Sequence, residues 1–358
     1  MNTNSNAAGL TRLWERTYPD DPFDKFAFDD RLLYLLCNSS LRVLDAADGH
    51  EVRSKGVSWA PMRCRPRFWG EYIFVPRYSQ GVLRLKKDLS EELELWPGAG
   101  TCSVAVSSDW LYCSTWDANR DCLAKVSPVD GTIAWGKRIG GGHACSATIV
   151  DGIVYAGFVD GIVGAFYADS GQPKWQRPGL TRISDTGICR VENGVVFIPA
   201  DVQQSGAPLE RVYALYAETG VVKWFRPLDS SPHTYLTLLD DYVYCGSANT
   251  LHGFHRESGV PLSPLAIDPQ ITCPRRPRGL GLPFVAYPSS IIPYNNLLFV
   301  GAGQFVIAVD PGTLTEVARY QMEGGEVLRF LIVGSILYVG TGNYDDMCSR
   351  LTAYALPS

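Results

Sequence analysis

The sequence predicts an all-β chain: a single eight-bladed β-propeller domain over residues 1–358, its ring closed by the N-terminal strand completing the last blade. Three observations predict it. An apolar–aromatic pair recurs eight times at the period of a four-stranded blade. A tight-turn pair stands before each recurrence. The two chain ends carry complementary fragments of one blade.

The recurring pairs are Leu33-Tyr34, Ile73-Phe74, Leu111-Tyr112, Val154-Tyr155, Val196-Phe197, Val243-Tyr244, Leu298-Phe299 and Leu337-Tyr338. Their aromatic positions lie 40, 38, 43, 42, 47, 55 and 39 residues apart. A propeller blade repeats at roughly 40–50 residues. The preceding turn pairs include Asp29-Asp30, Asp151-Gly152, Asn193-Gly194 and Asn295-Asn296. Such pairs suit two-residue hairpins, whose central positions need positive φ.

A second turn follows each core: Asp48-Gly49, Asp130-Gly131, Ser170-Gly171, Thr219-Gly220 and Ser258-Gly259. An outer strand comes next, with Trp135, Trp175 or Trp224, and Trp96 is expected to fill the same place in blade two. The last unit ends at "RLTAYALPS" without an outer strand, while "GLTRLWERTYP" at the start is an outer strand without a blade. Joining them completes blade eight and removes two exposed sheet edges.

The segments "ADSGQPKW" and "AETGVVKW", with "SPVDGTIAW" as a looser copy, resemble the tryptophan-docking repeats of the pyrroloquinoline-quinone (PQQ)-like propeller superfamily. That superfamily includes the quinoprotein alcohol dehydrogenases and the BamB-like proteins. The resemblance covers nearly the whole chain. It implies the fold and leaves the activity open, because propellers host unrelated functions. The quinoprotein dehydrogenases carry adjacent cysteines over the cofactor, and this chain has none, so PQQ is not expected and the cofactor is left unknown. BamB-like proteins are lipoproteins with a lipobox, which is absent here.

Composition narrows the class. Hydrophobic residues make up 46% and charged ones 19%, which fits a globular chain. A net charge of −5 argues against a nucleic-acid partner. Met1–Leu10 is polar, and no apolar run is long enough to span a membrane. The expected location is cytoplasmic, with residues 1–9 a flexible N-terminus. None of the ten cysteines forms a C-x-x-C pair, so buried free thiols are expected rather than a zinc knuckle.

In a blade whose strands a–d run outward, the a–b and c–d turns share one face. The b–c and d–a loops share the other, which carries every long segment and is expected to bind. Residues 265–288 form the longest loop, inserted before blade seven, and bring Arg275, Arg276 and Arg278 together. Arginine there suits a carboxylate or phosphate. The b–c segments "ADVQQSGAPLER" (200–211) and "GNYDDMC" are read as elaborated loops.

Residues nine to twelve before each aromatic are expected to ring the channel mouth. Arg63, Arg65, Tyr287, Glu326 and Arg329 are ligand-binding candidates, beside Asp24 and Thr101. His143, His233, Tyr235 and Asp185 are the catalytic candidates, with a histidine as general base. Cys64, Cys102 and Cys145 share one register and are read as small packing residues. Asp117, Asn119 and Asp121 faintly resemble a calcium loop but lack its glycine and terminal glutamate, so no metal is assigned. Two functions follow. One is a propeller binding a small molecule or protein partner on the loop-rich face. The other is a cofactor-independent or metal-assisted lyase or cyclase at the channel mouth.

Overall fold

The computed structural model describes residues 9–57, 66–77, 81–95, 101–115, 123–139, 147–158, 161–180, 189–204, 207–228, 236–247, 250–267, 288–343 and 347–357. Every element in them is a strand, thirty-two in all. The strands form eight antiparallel four-stranded blades. Blade one is typical: Phe23–Asp29, Leu32–Cys37, Ser40–Asp45 and Glu51–Gly56. Blade eight takes Glu326–Val333, Ile336–Asn343 and Met347–Ala355 from the C-terminus and Thr11–Thr17 from the N-terminus. The ring is thus closed by the first strand. Of residues 1–9, only Gly9 is among those described.

Strand b of each blade is the most buried, because it packs against the blades on both sides. Tyr34, Tyr244 and Tyr338 are among the largest fully buried side chains. The a–b hairpins turn on positive-φ residues such as Asp30 and Asp151, as two-residue turns require.

The blades are held to each other by one repeated contact. Ala46, Lys87, Pro128, Ala168, Ala217, Arg256 and Pro311 each lie three residues beyond the strand-c partner of their blade's core aromatic. Each of their carbonyls accepts a bond from the preceding blade. Trp14, Trp135, Trp175 and Trp224 donate Nε1 to Ala46, Ala168, Ala217 and Arg256 at 3.0, 2.9, 2.8 and 2.8 Å. Where tryptophan is missing, another donor takes over. Arg53 reaches Lys87 at 3.3 Å, Arg84 reaches Pro128 at 3.2 Å, and the Tyr244 hydroxyl reaches Pro311 at 2.9 Å. A buried carbonyl without a partner is costly, so the position is supplied by whichever side chain can reach it.

Each docking tryptophan lies flat on a glycine. A Cβ on Gly49, Gly171, Gly220 or Gly259 would come within 2.5–2.7 Å of the ring. The same glycines have φ between +65° and +71°. Blade six has no tryptophan, and blade seven has Leu314 in the glycine position, buried at φ 53°. Leu314 belongs to the buried cluster between blades six and seven, against which Leu262 also packs.

Two segments differ from expectation, and one expected residue is not described. In blade two Leu95 packs against the next blade's turn, at 3.2 Å from a Cβ on Gly131; Trp96, expected to close this blade, lies outside the described residues. Residues 200–204 and 207–211 are not loop but the continuation of two paired strands, with 205–206 outside the described residues. Leu265–Ala266 is the short outer strand of blade six and Pro288 opens the inner strand of blade seven, so 267–287 lies between elements, of which 268–287 is outside the described residues. Pro261 and Pro264 explain the short outer strand, since proline cannot donate to a ladder.

Five free cysteines are described, all buried: Cys37, Cys113, Cys189, Cys245 and Cys348. Burial pushes the Cys189 and Cys245 thiols up to about 12 and raises Cys113 as well. The thiolate is the reactive form. In the folded protein these three are expected to resist iodoacetamide at pH 8 and to alkylate only on unfolding, as peptide mass mapping would read out. Rapid native alkylation of any of them would contradict the packing.

Candidate functional site

The inner strands bring one residue from each blade to a common level, seven residues before the core aromatic. The register pairs Arg67 with Phe74, Thr148 with Tyr155, Arg190 with Phe197 and Thr237 with Tyr244. These four make the same bond, each donating to a carbonyl of the next blade eight residues before that blade's aromatic. Arg67 Nε donates to Val104 O at 3.2 Å and Arg190 Nε to Leu236 O at 2.9 Å. Thr237 Oγ1 donates to Ile291 O at 2.8 Å, and Thr148 Oγ1 to Cys189 O. Blades one, three, seven and eight place Ala27, Ala105, Ile292 and Leu331 there instead. The inner wall is therefore polar across blades four to six and apolar across blades seven, eight and one. Arg67 and Arg190 are exposed despite their inner position.

Of the predicted mouth residues, Glu326 and Arg329 fall on the inner strand of blade eight, both partly buried. They are register partners of Gly342 and Gly340, with a bulge between Val327 and Arg329. Arg329 Nη1 donates to Leu328 O at 2.6 Å. The turn before them is tight: a Cβ on Gly325, at φ 114°, would lie 2.7 Å from Gly342 O. Only glycine allows that approach. Arg63, Arg65, Asp117, Asn119, Asp121, His143, Asp185, His233, Tyr235, Arg275, Arg276 and Tyr287 lie outside the described residues.

The polar groups that are described at this end serve the fold. Asp21, buried in the link between blades eight and one, accepts from Ser39 N at 2.8 Å, Ser39 Oγ at 2.9 Å and Ser40 Oγ at 2.5 Å. Arg42 Nη2 adds a fourth contact at 3.3 Å. Burial alone would raise the Asp21 carboxyl, but these donors outweigh it and hold it below its ordinary 3.8. A carboxyl depressed by folding stabilises at neutral pH and loses that contribution as pH falls through its folded value. Asp21→Asn is thus expected to cost about 1–3 kcal/mol at pH 7. The gap from the parent should narrow once the pH drops below 3.8, as urea melts across pH 3–7 would show. A gap independent of pH would contradict the charge argument.

Two further pairs are buried here: Ser103 Oγ with Ser114 Oγ at 2.7 Å, and Ser247 Oγ with His252 Nε2 at 2.9 Å. Among the described residues no group of three His, Cys, Asp or Glu could hold a metal ion. Nor is any helix there long and apolar enough to cross a membrane. The polar side chains described on the inner strands are thus engaged between blades, Arg67, Thr148, Arg190 and Thr237 each on a carbonyl of the next blade.

No curated protein matches the chain. Among the solved structures that match it, three do so over almost its full length. The computationally designed protein Ika8 has TM-score 0.73 at 16% identity, covering 96% of this chain and 99% of its own. BamB from Moraxella catarrhalis has TM-score 0.70 at 15% identity, covering 97% and 98%. Sqt1 of Saccharomyces cerevisiae has TM-score 0.73 at 10% identity, covering 98% and 100%. At those identities the likeness shows the propeller fold. The family model described as outer membrane protein assembly factor BamB matches residues 38–261, well over half of the chain, and the protein belongs to that PQQ-like, BamB-like propeller family.

Proposed function

We propose that the protein is a cytoplasmic binding propeller that holds a protein or small-molecule partner on the face bearing its b–c and d–a loops. One observation carries this reading: the two faces are built differently. The described a–b and c–d connections are short turns, many closed on positive-φ glycine, asparagine or aspartate. The opposite end bears the paired extension of blade five, and the chain leaves blade six after Ile267 and re-enters blade seven at Pro288 on that side. Elaboration confined to one face of a repeat array marks a working surface. The family's description names an assembly factor, which supports a binding role. Buried free thiols support a reducing compartment.

The test is affinity purification from the source cells with five chains: the parent, an Arg275→Glu/Arg276→Glu double variant in the segment joining blades six and seven, Lys223→Glu on the turn-bearing side, His143→Ala and His233→Ala. Native mass spectrometry and metal analysis follow on each sample. The binding reading expects a stoichiometric partner that the double variant loses and Lys223→Glu keeps. A retained metal or metabolite that disappears in His143→Ala or His233→Ala would replace it with the channel-mouth enzyme.

A further inference from the structure

The channel has a second mouth, on the turn-bearing face, and the ends of all eight inner strands are described there. Six residues before each core aromatic, one step beyond Arg67 and Arg190, every blade places an apolar residue. Each is the register partner of the apolar member of its blade's core pair, as Phe28 is of Leu33, Phe68 of Ile73, Ile149 of Val154 and Ile332 of Leu337. The other four blades keep that register with valine, leucine or proline. None of these side chains is fully buried. One step further, Trp69, Val150, Leu239, Tyr294 and Val333 continue the wall, again half-buried. Their flanks pack into the cores between blades. The inner strand is the last of its sheet, so the surface left open faces the channel.

The rim of this apolar throat is acidic. Its a–b turns carry Asp30, Glu71, Asp109, Asp151, Asp240 and Asp241, all exposed, against one cation, Arg31. Among the described residues no ion pair engages any of those carboxylates. Two further carboxylates at the rim each hold a cation of the protein itself. Glu192 pairs with Arg256 at 2.9 Å. Asp29 pairs with Lys87, whose Nζ also lies 5.6 Å from the centre of the Phe68 ring. An ammonium is thus already seated between a carboxylate and an aromatic face of the throat, the arrangement that recognises organic cations elsewhere. A cleft with low-dielectric walls and charge of one sign concentrates its counter-ions. A concave, mostly apolar wall with a few charged groups is also the usual form of a small-molecule site.

We propose that this throat binds a small organic cation, an ammonium carried on an aliphatic or aromatic body. The body lies against the apolar wall. The ammonium lies within the rim, where Asp151, Asp240 and Asp241 have no cation of the protein. The site is separate from the loop-bearing face and stands or falls independently of it.

The probe is benzyltrimethylammonium, titrated into the full chain at low ionic strength and followed by saturation-transfer NMR. Benzylsulfonate keeps the body and reverses the charge, while tetramethylammonium keeps the charge and lacks the body. Saturable binding of the probe is expected, with each analogue roughly tenfold weaker. An Asp151→Asn/Asp240→Asn/Asp241→Asn variant should bind the probe about fivefold more weakly. Asp151 and Asp240 both sit at φ 48°, which asparagine adopts readily, so the turns are retained. Glu218→Gln removes an exposed charge that pairs with Lys174 away from the throat, and should leave binding unchanged. The analogue comparison uses the parent chain alone, so it holds even where the triple variant is unstable. No saturable binding of the probe, equal binding of tetramethylammonium, or unchanged affinity in a folded triple variant overturns the proposal.

Discussion

Trp224→Ala is expected to cost about 3–5 kcal/mol of unfolding free energy, the range for deleting a buried indole. The ring is 6% exposed. It lies between Phe197 at 5.9 Å and Phe254 at 6.2 Å, ring centre to ring centre. Its Nε1 satisfies Arg256 O across the blade boundary, and a Cβ on Gly259 would lie 2.7 Å from it. The substitution therefore removes apolar burial, leaves a cavity and strands a carbonyl at once. Gly259→Ala attacks the same contact from the other side. A control separates backbone strain from the clash: Gly194 has φ 73° with nothing within 4 Å of a Cβ. Gly194→Ala should cost only the left-handed penalty, about 1–2 kcal/mol, and Gly259→Ala distinctly more. Equal losses in urea melts of the two alanine variants would show that the indole does not constrain the glycine.

Deleting residues 1–17 is expected to have a larger effect still, because it opens the ring. Thr11–Thr17 is the outer strand of blade eight, paired with Met347–Ala355. It carries Trp14, whose indole and the Tyr338 hydroxyl both donate to Ala46 O in blade one. Glu15 also accepts from Arg350 and Thr352, each at 3.4 Å. Without this strand the third strand of blade eight becomes a bare edge. The truncated chain should self-associate on size-exclusion light scattering and unfold well below the parent. A synthetic peptide of residues 9–18 added in trans should restore both. A monomeric truncated chain with an unchanged melting temperature would contradict the closure.

The fold was legible in the sequence because each blade repeats the same physical problem. The b strand needs an apolar–aromatic core, the a–b hairpin needs positive φ, and the indole needs a glycine. Those demands fix residue types at fixed spacings, and Trp14 at the far end of the chain obeys them as well. Legibility ended where solutions were interchangeable. Arg53, Arg84 and Tyr244 do the work of tryptophan at three boundaries without sharing its chemistry, so no motif announces them. In blade two Leu95 meets the Gly131 side of the boundary, and no motif marks it either. The polar segment at 200–211 looked like a loop, since Gly, Pro and acidic residues are poor strand formers. Its pairing follows from the hairpin below it. At the candidate site, the window nine to twelve residues before each aromatic reached Glu326 and Arg329. It passed over Arg67, Thr148, Arg190 and Thr237, which stand seven before theirs. That fixed offset of seven was the readable signal.

The central claim, that this propeller binds a partner through its loop-bearing face, meets its most direct test in site-specific photo-crosslinking inside cells. A benzophenone amino acid would be placed at Gln203 and Arg276 on that face, and at Asp109 and Glu218 on the turn-bearing face. The account predicts one discrete crosslinked species from Gln203 and from Arg276, identified by mass spectrometry as the same protein, and none from Asp109 or Glu218. Discrete crosslinks arising from the turn-bearing positions alone would contradict it.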